Sequence, residues 1–157
     1  MAPTLNLNNV HMYTDGSCKN NPGPAGWGLY VQFPDGGEER LCGPSGIRST
    51  NNRGELMAMI EALRKVEFLE SSGYLDDRQV DVYTDSTYVK NGLLEWGPGW
   101  ARTAFRGVKN SDLWEVAYPL FLSIRHTMNI YWVKGHAGTP GNVIADELAN
   151  QGVLMNV

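Results

Sequence analysis

Four carboxylates and one histidine in this chain stand in settings that suit chemistry. Asp15 closes the run Val10-His11-Met12-Tyr13-Thr14-Asp15, and Asp85 closes Val80-Asp81-Val82-Tyr83-Thr84-Asp85. Both runs read as strands and share Val-x-x-Tyr-Thr-Asp. Open sheets gather ligands at the carboxyl ends of their strands, so adjacent strands of this kind would bring Asp15 and Asp85 together. Glu55 is expected in the first turn of a helix, where the dipole favours an anion. Asp146 is expected in the first turn of a closing helix, with Ala145 and Ala149 leaving room beside it. Four converging carboxylates repel one another unless divalent cations neutralise them. Hard oxygen ligands suit Mg2+ or Mn2+. Two such ions ~4 Å apart can activate water and stabilise the leaving oxygen of a phosphodiester. Taken singly, each acid has an ordinary reading as well: an Asp after a strand is commonly a turn or N-cap residue. His136 lies in Gly135-His136-Ala137-Gly138, where glycines give it reach and imidazole titrates near neutral pH. His11 and His126 have no such setting and read as structural.

The elements that must position these groups are legible as periodicity and punctuation. Residues 9–14 alternate as a strand. Asn20-Asn21-Pro22-Gly23-Pro24 marks a turn, and a second strand follows over 27–33. Pro34-Asp35-Gly36-Gly37 makes a hairpin turn into a third strand over 38–43. Ser49-Thr50-Asn51-Asn52 supplies N-cap residues before a strong helix former carrying Leu56, Ile60 and Leu63, which frays near Ser71-Ser72-Gly73. Residues 80–84 form a fourth strand. Ser86 caps a short helix through Leu94, and Gly97-Pro98-Gly99 is expected to break it. Ser111 caps a further helix with Leu113, Val116, Ala117 and Leu120 on one face. A last strand over 129–133 and a helix over 143–155 complete the pattern. Antiparallel strands followed by alternating helices and strands predict one mixed sheet covered by helices.

Composition bounds the rest. The 157 residues suit a single domain, and a chain of this length buries roughly 70% of its unfolded surface. With 42% hydrophobic and 19% charged residues, disorder is excluded. No run approaches the ~18 apolar residues of a membrane span. The N-terminus lacks the cationic start and apolar run of a signal peptide. Two cysteines, Cys18 and Cys42, are too few for a secreted disulfide scaffold, so a reduced, cytoplasmic protein is expected, without a catalytic thiol. The net charge of −4 argues against indiscriminate binding to polyanions. Residues 96–110 nevertheless hold Arg102, Arg106 and Lys109 and no acid, a local basic surface.

Together these residues resemble type 1 ribonuclease H in its bacterial single-domain form. The stretches that carry the resemblance are Tyr13-Thr14-Asp15-Gly16-Ser17-Cys18, Asn21-Pro22-Gly23-Pro24, Thr50-Asn51-Asn52-Arg53-Gly54-Glu55-Leu56, Thr84-Asp85-Ser86, Lys109-Asn110-Ser111-Asp112-Leu113-Trp114 and Trp132-Val133-Lys134-Gly135-His136-Ala137-Gly138, closed by Asn142 through Ala149. They span about residues 10–151 in the family's order. The resemblance implies an α/β ribonuclease H-like fold: a five-stranded mixed sheet, its first three strands antiparallel, with helices on both faces. It implies one domain over residues 1–157, without a separate hybrid-binding domain, acting as a monomer. It implies endonucleolytic hydrolysis of the RNA strand of an RNA–DNA hybrid, leaving 5′-phosphate and 3′-hydroxyl ends. The metal tetrad maps onto Asp15, Glu55, Asp85 and Asp146, with two Mg2+ ions bridged by Asp15 and Mn2+ as a substitute. His136 matches a loop histidine that assists proton movement or product release.

For the substrate, the resemblance places Cys18, Asn21, Asn51, Asn52 and Glu55 along the minor groove near the 2′-OH, the group that marks RNA. Amides donate and accept there without adding charge. Arg48, Thr50 and Asn110 match a pocket for a DNA phosphate, and Tyr88, Trp96 and Trp100 a channel for the DNA strand. Trp96 and Trp100 also fit a helical i,i+4 core pair, against which Gly97-Pro98-Gly99 speaks. The stretch from Trp96 to Lys109 is shorter and less basic than the lysine-rich handle of many bacterial relatives. Thr87 replaces a commonly longer polar residue, and Val143-Ile144-Ala145 stands where relatives often place charge. Two other readings stay open on these residues: another nuclease or strand-transferase of the same fold, and a non-catalytic nucleic-acid-binding module, which would be expected to lack a tetrad carboxylate.

Overall fold

A computed structural model describes residues 6–135 and 139–156. Five strands, β1 (Val10–Cys18), β2 (Gly23–Gln32), β3 (Glu38–Ser49), β4 (Val80–Thr84) and β5 (Met128–Trp132), form one sheet in the order β3-β2-β1-β4-β5. β1, β2 and β3 pair antiparallel, and β1, β4 and β5 pair parallel. The helices are α1 (Asn51–Ser71), α2 (Thr87–Asn91), α3 (Gly97–Arg102), α4 (Ser111–Ile124) and α5 (Pro140–Val153).

Both faces of the sheet are covered. Val10, Met12, Leu29, Val31, Val80 and Val82 pack against α1 and α4, with Leu56, Met59, Leu63 and Trp114 among the buried partners. On the other face Tyr13, Tyr30 and Tyr83 pack under Ala145 and Leu148 of α5. The alternation in β1 therefore separates two cores rather than a core from solvent, and even His11 is buried. Glycines let helix and sheet close: a Cβ on Gly26 or Gly28 would fall 2.3–2.4 Å from the α5 backbone. Thr50 caps α1, its Oγ1 accepting from Arg53 N–H at 3.2 Å.

Three sequence expectations change. The first three strands run further than their local alternation shows, while β4 spans 80–84 as expected; β1 continues past Asp15 because it stays paired with β2 as far as Cys18↔Ala25. Gly97-Pro98-Gly99 does not break the chain's helical course. A π-helical turn over Gly92–Trp96 leads directly into α3, where Pro98 occupies a first-turn position whose missing N–H costs nothing. A Cβ on Gly92 or Gly97 would strike the rings of Trp114 or Tyr118 at 2.1–2.2 Å, so these glycines are close-packing positions. On α4 the buried stripe is Trp114, Ala117, Tyr118, Phe121 and Ile124, one residue on from the expected one; Val116 is exposed and Asn110 is the N-cap. Trp114, fully buried, sets that rotation.

Candidate active site

The parallel register pairs Val10 with Val80, Met12 with Val82 and Tyr13 with Tyr83, so the repeated Val-x-x-Tyr-Thr-Asp is a structural alignment of two neighbouring strands. Asp15 and Asp85 end up side by side at the same end of the sheet. Glu55 joins them from α1, which approaches β1 closely enough that a Cβ on Gly16 would lie 2.3 Å from Glu55 N. One carboxylate oxygen from each of Asp15, Glu55 and Asp85 lies within 4.8 Å of the others. Asp146 lines the same cleft from α5.

Neither helix dipole explains these positions. α1 starts at Asn51, so Glu55 is its fifth residue, and α5 starts at Pro140, so Asp146 is its seventh; no acid occupies either first turn. What sets Glu55 is the close contact of α1 with Gly16, and Asp146 follows the seating of α5 on Gly26 and Gly28.

The site is electrostatically costly as it stands. Burial pushes the Asp15 carboxyl up to about 7, and the Asp85 and Asp146 charges add to the rise, while Glu55 and the Gly16 N–H, donated to Asp15 Oδ1 at 2.8 Å, oppose it. Glu55 is raised well above the ordinary value, first by burial and then by Asp15 and Asp85. Its Oε2 is buried without a hydrogen-bond partner among the described residues. A buried carboxyl oxygen without a partner, on a side chain beside two further carboxyl groups, is an environment that a hard divalent cation satisfies. The residues present therefore fit a divalent-metal site.

Seven of the thirteen expected nucleic-acid contacts line two adjoining concavities, which Arg48, Trp96, Trp100, Arg102, Arg106 and Asn110 do not line. A cleft of about 430 Å³ joins the carboxylates to Cys18, Asn51, Asn52 and Tyr88. A groove of about 570 Å³ continues past Asn21, Thr50 and Lys109. Asn21 Oδ1 accepts from Asn51 N–H at 3.0 Å, tying the two together. Arg48, Arg102 and Arg106 are exposed and, among the described residues, make no ion pair. Trp96 and Trp100 do form the helical pair, with centroids 5.7 Å apart; Trp100 packs on toward Trp114 at 5.0 Å, and Trp96 stays exposed. His136 lies outside the described residues. Gly135 is beside Asp85: a Cβ there would meet Asp85 Oδ2 at 3.0 Å.

Sequence reading missed an anchoring role for Arg53. Its guanidinium grips Asp112 at 2.9 and 2.7 Å and reaches Asn110 Oδ1 at 3.2 Å. Hydrogen bonding to Arg53 holds the Asp112 carboxyl below its usual value. Fifty-nine residues separate the partners, so no local pattern reveals the pair.

The ribonuclease H family model matches residues 7–154. A ribonuclease H from Marinobacter nauticus is 46% identical over 92% of this chain and 93% of its own length. Another from Nitrosomonas eutropha is 45% identical over 94% and 91%. Among solved structures, LC9-RNase H1, described as a type 1 enzyme with the type 2 active-site motif, matches with TM-score 0.77 at 27% identity, covering 99% of this chain and 76% of that one. RNase H1 from the archaeon Halobacterium salinarum matches with TM-score 0.64 at 27% identity, covering 92% and 97%. With its family model matched almost end to end and its carboxylates gathered at one end of the sheet, the chain belongs to the ribonuclease H family.

Proposed function

We propose that the protein is a metal-dependent endoribonuclease that hydrolyses the RNA strand of RNA–DNA hybrids, leaving 5′-phosphate and 3′-hydroxyl ends. The observation that carries this reading is the convergence of Asp15, Glu55 and Asp85 within 4.8 Å beside a polar cleft, in a chain of the ribonuclease H family. Asp15, Glu55, Asp85 and Asp146 would hold two Mg2+ ions, with Mn2+ as a substitute. Bound divalent ions supply an activated water and charge stabilisation at the leaving oxygen.

The chain's own residues supply position. The paired strands β1 and β4 carry Asp15 and Asp85, and α1, in close contact with β1 at Gly16, brings Glu55 beside them. Asn21, Asn51, Asn52 and Cys18 face the strand to be cut, where amides can read a 2′-OH as donor or acceptor. Arg48, Thr50, Asn110, Lys109, Arg102 and Arg106 face backbone phosphates, and Tyr88, Trp96 and Trp100 the partner strand. His136 moves a proton or speeds product release. The protein works as a monomeric single domain in the cytoplasm; among the described residues no helix is long and apolar enough to cross a membrane.

The test is a cleavage assay on matched RNA–DNA, RNA–RNA and DNA–DNA duplexes with Mg2+. Cleavage of RNA in the hybrid alone, with 5′-phosphate ends, is the expected result. Equal cleavage of the three, or none, overturns the reading.

A further inference from the structure

The hydrogen bonds around Tyr88 have a single consistent polarity. Arg53, pinned by both oxygens of Asp112, also donates to Asn110 Oδ1 at 3.2 Å. A guanidinium only donates, so it determines which end of the Asn110 amide is oxygen. The amide nitrogen then faces Tyr88 and donates to its hydroxyl at 3.0 Å. Trp114 Nε1, which can only donate, gives its proton to the same hydroxyl at 2.9 Å. Both lone pairs of the phenol oxygen are thereby used. The Tyr88 hydroxyl proton then remains to be donated, and no protein acceptor takes it among the described residues. Tyr88 lines the cleft that holds Asp15, Asp85 and Asn52.

We propose that Tyr88 is a hydrogen-bond donor of fixed polarity for a backbone phosphate of the hybrid, and that Arg53 is the positioning residue that sets this polarity through Asn110. A phosphate oxygen only accepts, so it matches a hydroxyl that can only donate. Arg53 acts here by orientation: its charge is already matched by Asp112. Asn110 suits the relay because it sits at φ 61°, a left-handed conformation that asparagine tolerates better than most residues. The inference rests on the proposed binding of a hybrid duplex and adds a residue-level polarity to it.

Hybrid binding by fluorescence anisotropy in metal-free buffer, alongside kcat and KM with Mg2+, tests it. Tyr88→Phe should weaken binding and raise KM about tenfold, the low end for a hydrogen bond to a charged group, with kcat nearly unchanged. A single methylphosphonate walked along either strand should cost the parent about tenfold at one position and cost Tyr88→Phe nothing further there. Arg53→Gln should reproduce the loss, and the double variant should lose little more than either single. Arg53→Lys should not rescue, since an ammonium has no fork to hold Asp112 and Asn110 together. Thermal melts establish that each variant is folded, and Asp112→Asn, which frees the guanidinium, serves if Arg53→Gln is not. Parental affinity in Tyr88→Phe, or an unchanged methylphosphonate pattern, overturns the donor. Full additivity overturns the positioning role. A parent that binds no hybrid overturns the functional reading beneath both.

Discussion

Tyr13 and Tyr83 stack with ring centroids 4.7 Å apart and planes 15° from parallel, each two residues before an acid of the carboxylate cluster. They are paired residues of β1 and β4. The stack supports the register of two strands that carry the acids Asp15 and Asp85 two residues further on. Packing thus holds together what electrostatics would separate.

Replacing either acid tests that opposition. Asp15→Asn and Asp85→Asn should each abolish Mg2+-dependent hydrolysis and leave the protein folded. Without metal, each variant should melt at or above the parent temperature, because a repulsive charge is gone. Metal at ten times its Kd should stabilise the parent by ~1.4 kcal/mol and the variants by less. Thermal melts with EDTA and with Mg2+, next to a cleavage assay, give both readings; full activity in either variant removes it from the metal site.

The pH dependence of the metal-free protein has a defined sign. Asp15 moves from 3.8 to about 7 on folding, and Glu55 rises too, so the folded state binds protons more tightly. These groups therefore favour folding most below pH ~4, and that contribution is lost as pH rises from about 4 to about 7. The slope should be at most ~1.4 kcal/mol per pH unit for each proton released. Urea titrations with EDTA across this window should show the decline, and Mg2+ should flatten it. A stability that rises through the window contradicts the shared burial of these acids.

Gly16→Ala should damage the site without touching a carboxylate. The added Cβ would lie 2.3 Å from Glu55 N and 2.5 Å from Gly54 C, both backbone atoms, so α1 must shift. Overpacking of this kind costs typically ~1–3 kcal/mol. A displacement near 1 Å at a reacting site can cost ~10²-fold in rate. Urea unfolding and kcat/KM measure the two effects; parental activity would show that the contact of α1 with β1 does not place Glu55.

The basic stretch near α3 should limit binding. Ala101 and Thr103 are exposed at the C-terminal end of α3, where cations are also favoured by the helix dipole. Ala101→Lys with Thr103→Lys should lower KM and leave kcat nearly unchanged, since remote charges bind ground and transition states alike. The parent's log–log salt slope should be shallow, about −2 to −4, and each new phosphate contact should add about −0.9. Kinetics at several salt concentrations check this; an unchanged KM and slope would mean that residues 96–110 do not face the nucleic acid.

Much of the site was legible because its signals are local. Turn residues and alternation located all five strands, and the repeated Val-x-x-Tyr-Thr-Asp foretold the pairing of β1 with β4. What escaped depends on distant contacts. Gly97-Pro98-Gly99 reads as a breaker on propensity, but Tyr118 packs where a side chain on Gly97 would go, and α3 continues. Tertiary packing overrides propensity here. Glu55 and Asp146 were assigned to first turns because Asn51-Asn52 and Pro140-Gly141 read as cap and loop, whereas both pairs are already helical. The Arg53–Asp112 bridge joins α1 to α4 across 59 residues, which no periodicity encodes.

The register of β1 against β4 also decides where the chain can change length. Successive side chains of a strand alternate between faces, so one residue inserted between Val80 and Asp85 would move Asp85 out of the row it shares with Asp15. The segment over 72–79, between α1 and β4, has no such parity to keep: it is anchored at Tyr74, which packs on Phe33, at the buried Leu75 and at Gln79, which bonds Asn9, and is no strand between them. Insertions and deletions in this chain should therefore collect before β4 and be absent within it.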